Sequence, residues 1–398
     1  MSGAFVLAME QRLAKNAVVI GAGIGGLACA AALAMRGIAV TLVEQADEIT
    51  EVGAGLQISP NGLAVLRALG LAEPLRRQGA IRAEAVVMQD YRQGRTVARL
   101  DLNRLADRDY LFVHRADLIG LLARAARHQN VSVEMGRRAV RVTPGTLPGV
   151  AFADGGTLRS ELIVCADGIH SVGRSAVWQG PEPAFTGQVA WRALVPARTD
   201  AAPVATVTMG PGRHVVSYPL RGRSLTNIVA VQERDAWADE GWSHGDDPEN
   251  LRAAFADFGG PVCDLLDQVQ DVGLWGLFRH PVAESWEKQG VALLGDAAHP
   301  TLPFLAQGAN LALEDAWVLA ALAASGELAE GYTRTRRARV VRAIDEASAN
   351  ARRYHLRDGA ARQAAHLALS LGSRVAPGLM LKRFEWLYGH DVTATHPL

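Results

Sequence analysis

The stretch that decides the fold is GAGIGG at residues 21–26, which directly follows the apolar run AVVI at residues 17–20. Residues 27–36 are rich in alanine and lead to Gly37, where a glycine that closes a helix is expected. A second apolar run follows at residues 38–43. Strand, glycine turn, helix and strand in this order make the βαβ unit that binds dinucleotides, with the helix N-terminus facing the phosphates.

The glycines and the residues after the second strand have separate expected roles. Gly21 permits the tight turn, Gly23 lets the backbone approach the pyrophosphate, and Gly26 lets the helix pack on the strand. Glu44 can accept hydrogen bonds from a ribose and would repel a 2′-phosphate, so FAD or NAD fits better than NADP. The contacts expected at this end of the cofactor are Gly21, Gly23, Ile24, Gly26, Glu44 and Gln45. An ordinary glycine turn is the alternative, because this motif also occurs by chance.

Two later motifs again combine a buried strand with an aspartate and a glycine. The strand at residues 162–166 leads into Asp167, which can organise a loop or reach a ribose, with a generic strand-turn-helix as the alternative. The strand at residues 291–295 leads into Asp296, whose carboxylate can hold a ribityl hydroxyl. The three motifs together indicate bound FAD.

The segment after the third motif enters a long helix, predicted at residues 311–324. The amides of Gly308, Ala309 and Asn310 are expected at its N-terminus. Reduced flavin carries negative charge at N1 and O2, and a helix N-terminus stabilises an anion. Pro303 is expected to line the flavin pocket through its carbonyl group.

Composition narrows the classes of function. The chain has 398 residues, enough for two domains, and carries 41 Lys plus Arg against 41 Asp plus Glu. This balance gives no support to a nucleic-acid or acidic-membrane partner. Cys29, Cys165 and Cys263 lack metal-ligand spacing, so no metal is expected. We find no signal peptide and no apolar run of about 18 residues, so we expect a cytoplasmic protein with no membrane span. We expect this protein to be a monomer or a homodimer.

The patterns divide the chain into an α/β part and a β-rich insertion. The fold class expected is α/β, with a Rossmann-like FAD-binding domain, an inserted, mostly antiparallel β-sheet substrate domain and C-terminal helices. The expected segments are an N-terminal extension at 1–15, the FAD-binding domain at 16–80, 102–184 and 280–345, the substrate-binding domain at 81–101 and 185–279, and the helical region at 346–398. The arginine-rich helix predicted at 333–357 is expected to present a solvated face.

In order and spacing, the three motifs resemble those of the class A flavoprotein aromatic hydroxylases, over residues 16 to about 390. GAGLQISPN at 53–61, PFLAQGANLALEDA at 303–316 and WLYGHD at 386–391 are most similar to one subgroup. That subgroup includes salicylate hydroxylase, 3-hydroxybenzoate 6-hydroxylase and 6-hydroxynicotinate 3-monooxygenase. The resemblance implies the para-hydroxybenzoate hydroxylase fold, tightly bound FAD, and NADH or NADPH as a transient co-substrate.

The resemblance also implies roles for single residues. It implies that Glu44, Arg115 and Asp296 contact FAD, and that Asp167 belongs to a motif implicated in binding both FAD and NAD(P)H. Arg115 lies in HRADL at residues 114–118, the family segment whose arginine reaches the ribityl or phosphate region. Without the resemblance, Arg115 would be interpreted as part of a surface ion pair.

The β-rich insertion carries the candidate catalytic residues. Residues 214, 216 and 218 of a predicted strand share a face, so His214 and Tyr218 can project together into a cavity under the sheet. An aromatic ring is a better nucleophile when its hydroxyl is deprotonated, and a neutral histidine can accept that proton. In the 3-hydroxybenzoate and hydroxynicotinate enzymes a histidine and a tyrosine at this spacing line the substrate site, which implies the same roles here. A core histidine bonded to backbone is the alternative.

Three further residues are candidates for contact with the substrate. Gln57 can face the ring from the glycine-rich loop, and Arg192 can pair with a substrate carboxylate or form a structural ion pair. Pro303 stands where some 3-hydroxybenzoate hydroxylases have a glutamine, which leaves the exact substrate open. His299 is expected to hold its loop rather than to act in catalysis.

The function predicted is an FAD-dependent monooxygenase that uses NAD(P)H and O₂ to hydroxylate a small phenolic or hydroxy-heteroaromatic acid. The resemblance implies that this proceeds through a flavin C4a-hydroperoxide. The alternatives are a flavin monooxygenase acting on an apolar or quinone-like ring, and a non-catalytic flavin-binding protein. A flavin halogenase is disfavoured, because the sequence has no Trp-x-Trp-x-Ile motif.

Overall fold

The computed structural model describes residues 13–49, 54–105, 108–198, 200–234 and 245–398. The expected extension at 1–15 lies outside the described residues except for its last three, and so does Gly53. The described helices do not include one with the length and apolar character that a bilayer crossing requires.

Strands alternate with helices in the first half of the chain, and helices dominate the end. The strands are β1 (Asn16–Ile20), β2 (Ala39–Val43), β3 (Gly55–Ile58), β4 (Ile81–Arg82), β5 (Ala85–Asp90), β6 (Thr96–Asp101), β7 (Leu111–His114), β8 (Ser132–Glu134), β9 (Ala139–Thr143), β10 (Gly149–Phe152), β11 (Thr157–Arg159), β12 (Leu162–Cys165), β13 (Ala184–Pro196), β14 (Val204–Gly210), β15 (Arg213–Leu220), β16 (Leu225–Glu233), β17 (Gly245–Asp246), β18 (Val272–Arg279), β19 (Glu287–Lys288) and β20 (Val291–Leu293). The helices are α1 (Ile24–Met35), α2 (Pro60–Ala68), α3 (Ala72–Arg77), α4 (Arg115–His128), α5 (Arg174–Val177), α6 (Pro248–Ala254), α7 (Pro261–Asp267), α8 (Gly308–Ser325), α9 (Leu328–Tyr354), α10 (Ala360–Val375), α11 (Pro377–Lys382), α12 (Glu385–Tyr388) and α13 (Val392–Thr395).

Sheet I is the six-stranded sheet with the order β19-β20-β12-β1-β2-β8. All neighbours are parallel except the edge pair β19 and β20. Helix α1 is apolar on all sides and fully buried at Leu27 and Leu33, because it packs between β1, α4 and α8. This arrangement confirms the Rossmann-like βαβ unit and sets the N-terminus of α1 at the end of β1, as the glycine pattern predicts.

Sheet II is the eight-stranded sheet with the order β17-β18-β13-β16-β15-β14-β5-β6. Its pairs are antiparallel except β14 with β5, so the predicted mostly antiparallel insertion is confirmed. Strands β5 and β6 join a sheet whose other strands begin about a hundred residues later in the chain. The short strand β4 pairs instead with β7, in a small antiparallel sheet with β3.

Helix α9 differs from the expectation of a solvated arginine-rich face. Arg336, in the first half of this helix, is fully buried. Its guanidinium lies 2.6 Å from a carboxylate oxygen of Glu314 and 2.8 Å from one of Asp315, both on α8. The prediction was therefore wrong at this position, because a count of arginines does not reveal that the neighbouring helix presents two buried acids.

Candidate active site

The turn between β1 and α1 is shaped by its glycines. Gly21 has a φ of +100°, and a Cβ on Gly26 would lie 1.9 Å from the carbonyl oxygen of Gly21. A Cβ on Gly23, by contrast, would meet no protein atom within 4 Å. The space beside the N-terminus of α1 therefore suits a phosphate group, which fits the pyrophosphate of FAD.

Glu44 holds this turn from the end of β2. One carboxylate oxygen accepts the amide hydrogen of Ala22 at 2.7 Å, and the other accepts that of Ala46 at 3.0 Å. Glu44 also lines a cavity of about 210 Å³ with Ala22 and Gly23. The remaining lone pairs of the carboxylate can accept from a ribose. Gln45 is exposed on the following loop and does not line this cavity, so its contact with FAD stays a prediction.

A larger cavity of about 280 Å³ lies between the glycine turns and sheet II. Most of the sequence-predicted site residues line it together: Gly23, Ile24, Gln57, Arg115, Arg192, His214, Tyr218, Asp296, Pro303, Gly308 and Ala309. The apolar side chains of Val216, Val229 and Val231 line it from sheet II. The cavity thus combines a cofactor wall with a wall suited to an aromatic ring.

Asp296 and Arg115 supply opposite charges to the cofactor wall. The Asp296 carboxylate opens onto the cavity but is surrounded by protein, and this desolvation raises its pKa. The positive charge of Arg115 acts in the opposite direction and favours the carboxylate. This wall therefore carries a carboxylate and a guanidinium, the two kinds of group that the hydroxyls and phosphates of FAD would need.

Helix α8 begins at Gly308 rather than at residue 311, so Gly308, Ala309 and Asn310 form its first turn. The first-turn amides of a helix have no acceptor within that helix, and two of these three residues line the cavity. The Asn310 side chain is buried and already bonded. It accepts the amide hydrogen of Ser59 at 3.0 Å and donates to the carbonyl oxygen of Gln57 at 3.0 Å. It therefore fixes the glycine-rich loop to the helix.

Asp167 does not line the cavity, although its neighbours Ala166 and Gly168 do. Its carboxylate accepts the amide hydrogen of Val172 at 2.8 Å and closes the turn after β12. Burial raises the pKa of this carboxyl group. Asp167 was expected either to organise a loop or to reach a ribose, and its contact with Val172 corresponds to the first of these roles.

His214 and Tyr218 of β15 face the cavity together, as the strand period predicts. Burial lowers the pKa of His214 well below its ordinary value and raises that of Tyr218, so both are neutral groups. Tyr218 stacks on Phe112 with ring centroids 5.0 Å apart. A Cβ on Gly55 would lie 2.7 Å from the Tyr218 hydroxyl, so this glycine makes room for the tyrosine.

The partner of His214 was not found from the sequence. Nδ1 of His214 lies 2.7 Å from Nε2 of His355, in place of the backbone partner considered as the alternative. Nδ1 of His355 lies in turn 3.0 Å from a carboxylate oxygen of Glu233. His355 follows α9 and is 141 residues from His214, so no local signal links the two.

A buried polar network behind α8 was also missed. The Asn61 amide donates to Glu314 at 2.6 Å and to Gln307 at 3.2 Å, and the Gln307 amide donates to the Ser59 hydroxyl at 3.0 Å. Because Gln307 lines the cavity directly before α8, the network fixes the position of that helix N-terminus. The available signal was the pair Glu314-Asp315 within an otherwise apolar helix.

Two of the remaining candidates, Gln57 and Arg192, line the cavity. Gln57 accepts the Tyr110 hydroxyl at 2.8 Å, so its amide hydrogens can serve a ligand. The Arg192 guanidinium stacks over Trp275 at 5.1 Å while lining the cavity. His299 is fully buried, 2.5 Å from Asp315, and does not line the cavity, consistent with a structural role.

Replacing Gly23 with alanine is expected to weaken FAD binding about tenfold or more, with little change in the stability of the apoprotein. The Gly23 backbone is extended, with φ −72° and ψ −178°, so alanine fits without strain while its methyl group occupies the phosphate space. Titration of the apoprotein with FAD, followed by flavin fluorescence, measures the change. The matched control is Gly372→Ala in α10, where a Cβ also meets nothing within 4 Å and FAD affinity should not change. Equal FAD affinity in both variants would contradict the phosphate assignment.

Comparison with known proteins agrees with this geometry. Residues 15–347 match the FAD binding domain family. The 3-amino-4-hydroxybenzoate 2-monooxygenase PtnB3 of Streptomyces platensis is 34% identical over 391 residues, which cover 94% of this chain and 95% of that protein. A 3-hydroxybenzoate 6-hydroxylase of Klebsiella oxytoca is 32% identical, covering 94% and 96%.

A solved structure extends the similarity to the whole fold. HpxO of Klebsiella pneumoniae, in complex with FAD and uric acid, superposes with a TM-score of 0.81 and 27% identity over 93% of this chain and 97% of that one. These matches cover nearly the whole chain, and the glycine turn between β1 and α1 has room for the pyrophosphate of FAD. The chain therefore belongs to the FAD binding domain family and is an FAD-dependent class A flavoprotein hydroxylase.

Proposed function

We propose that this protein hydroxylates a small phenolic or hydroxy-heteroaromatic acid, with NADH or NADPH and O₂ as co-substrates. The observation that carries the proposal is one cavity lined by the first turn of α8 on one side and by His214 on the other. When bound, FAD would accept hydride from NAD(P)H and activate O₂, so that one oxygen atom can be transferred to an aromatic carbon. The sequence has no second glycine fingerprint for the nicotinamide nucleotide, which agrees with transient docking.

His214 acts as the base in this proposal. Burial, with the nearby His355, lowers its pKa, so the imidazole is neutral at physiological pH and can accept a proton from a phenol in the cavity. The phenolate then pushes electron density onto the ring carbon that is to be hydroxylated. Tyr218 stays protonated because burial raises its pKa, so it can donate a hydrogen bond that orients the substrate.

The charge of the cavity favours an acid as the substrate. Arg192 lines the cavity from sheet II and brings a positive charge that favours a carboxylate there. Valines of the same sheet give the ring an apolar surface. This combination favours a hydroxylated aromatic acid over the apolar or quinone-like ring. The names of the relatives, an aminohydroxybenzoate monooxygenase and a hydroxybenzoate hydroxylase, support the same substrate class.

The start of α8 would hold the part of the cofactor that becomes negatively charged on reduction. The amides of Gly308 and Ala309 at the start of α8 are suited to that role, since they line the cavity and have no acceptor within the helix. Pro303 lines the same wall and keeps the backbone close to the ring position.

The proposal is tested with the purified holoenzyme. Its visible spectrum is recorded, and the oxidation of NADH and NADPH is followed against hydroxybenzoates, aminohydroxybenzoates and hydroxynicotinates, with product analysis by mass spectrometry. Uncharged phenols and quinols are the controls. We expect oxidation stimulated by one class of acid, with a product heavier by one oxygen atom. Stimulation only by uncharged rings would support the quinone-like alternative, and a yellow protein that no ligand stimulates would support a non-catalytic role.

A further inference from the structure

Three side chains form a continuous line from the cavity to a second opening on the surface. His214 lies in the cavity wall and is 2% exposed, His355 is buried, and the Glu233 side chain is 43% exposed. The distances along the line are 2.7 Å and 3.0 Å. We propose that His355 and Glu233 form a proton relay that carries the proton of the substrate hydroxyl from His214 to solvent; this inference rests on the function proposed above.

The carboxylate at the outer end sets the direction of the hydrogen bonds. Ionised Glu233 accepts the Nδ1 hydrogen of His355, which leaves Nε2 of His355 as an acceptor. Nδ1 of His214 then carries the hydrogen donated to His355, and Nε2 of His214 is the basic nitrogen. The amide of Gln188 is a weaker neighbour, 3.4 Å from Nδ1 of His355. Glu233 at the surface thus sets, through His355, the Nδ1-protonated tautomer of His214 that catalysis needs.

The transfer conserves protons and leaves both imidazoles neutral. The O–H bond of the substrate breaks as an N–H bond forms at Nε2 of His214. The Nδ1 hydrogen of His214 passes to Nε2 of His355, and the Nδ1 hydrogen of His355 passes to Glu233, which releases a proton to water. Return of a proton to the product hydroxyl follows the same path backwards and restores both tautomers. No electrons move between these groups.

The surroundings suit transfer rather than storage of a positive charge. Burial lowers the pKa of His214 and of His355, although Glu233 opposes the effect at His355. Tyr354 also packs against His214, with ring centroids 5.2 Å apart. The charged groups around Glu233 at the second opening are Arg213, Arg234, Arg357 and Asp358, and Arg213 is paired with Asp257 at 2.8 Å.

The first test measures how fast a bound phenol loses its proton. The holoenzyme is mixed in a stopped-flow instrument with 3-hydroxy-4-nitrobenzoate, whose phenolate is coloured, at a pH below the pKa of the free probe. We expect His355→Gln and Glu233→Gln to slow phenolate formation about tenfold or more relative to wild type. Acetate buffer should restore the rate in Glu233→Ala, whose site is open to solvent, but not in His355→Gln.

Asp358→Asn is the matched control, because it removes one carboxylate of nearly the same exposure, 44%, from the same opening. This variant should ionise the probe at the wild-type rate. Equal rates in wild type, His355→Gln and Glu233→Gln would overturn the relay, and so would a wild type that binds the probe without ionising it. If phenolate forms at equal rates in these proteins while the enzyme still hydroxylates its substrate, the relay is wrong and the proposed function stands.

A second test needs no ligand. In ¹⁵N-histidine spectra of the holoenzyme, both His214 and His355 are expected as Nδ1-protonated tautomers, and Glu233→Gln is expected to shift this balance while Asp358→Asn is not. An Nε2-protonated His214 would overturn the relay even if the enzyme hydroxylates its substrate. Conversely, the expected tautomers in a protein that hydroxylates nothing would leave the hydrogen-bond chain intact and refute only the proposed function.

Discussion

Replacing Arg336 with leucine is expected to lower the free energy of unfolding by about 3–5 kcal/mol. The guanidinium is fully buried and lies 2.6 Å from Glu314 and 2.8 Å from Asp315. Leucine fills part of the volume, but the buried carboxylates of Glu314 and Asp315 lose the positive charge of Arg336. Arg339 still bonds Glu314 at 2.8 Å, which limits the loss to part of the pair energy. Urea unfolding of the apoprotein measures the change.

The pH dependence gives this prediction a specific signature. Burial opposes ionisation of Glu314, but the charges of Arg336 and Arg339 hold its pKa down at about 2. A carboxyl group with a lowered native pKa stabilises the fold at pH values above its unfolded pKa, near 4.3, and loses that contribution as the pH falls toward 2. The stability gap between wild type and variant should therefore narrow as the pH falls from about 5 toward 2.

The control for Arg336→Leu is Arg383→Leu, which removes an arginine that is 50% exposed and pairs with Glu346 at 3.0 Å. An exposed pair of this kind contributes about 1 kcal/mol or less. Similar losses in the two variants, or a gap that does not change with pH, would show that the buried cluster is not the source of the stability.

The cofactor half of the site could be predicted because its determinants are local. The left-handed φ of Gly21 and the close packing of Gly26 are written into a single six-residue turn, and apolar runs mark the strands on either side. His214 and Tyr218 could be placed on one face by the strand period alone. The start of α8 was missed by only one turn, because Gly308 and Asn310 are poor helix formers.

The contacts that were missed join segments far apart in the chain. His355 meets His214 because the end of α9 packs against sheet II, where Ala347 and Ala351 share an apolar cluster with strand β16. Arg336 is buried because α9 lies along the two acids of α8. A sequence pattern reports the residue type at each position but not which distant helix covers it. For the same reason, the arginine-rich composition of α9 favoured a solvated face.

His214→Asn is expected to reduce kcat for hydroxylation by about 10²–10⁴-fold, the usual contribution of a positioned base. Asparagine keeps the polarity and much of the volume of the position but cannot accept the substrate proton. Val216→Ala is the control, since it changes the same cavity wall on the same strand without touching proton transfer. Its effect should fall mainly on KM. Steady-state product formation, separated into kcat and KM, distinguishes the two variants.

The pH profile decides whether His214 is the base or only a wall residue. Its lowered pKa means that the imidazole stays neutral, and therefore basic, through the ordinary value of about 6.5, so wild-type kcat should fall only at more acid pH. In His214→Asn that acid limb should disappear, and kcat should instead rise toward alkaline pH as the phenol ionises without help. If kcat and its pH profile in His214→Asn match the wild type, the base must be sought elsewhere in the cavity, because a group that only packs against the ring cannot set an acid limb.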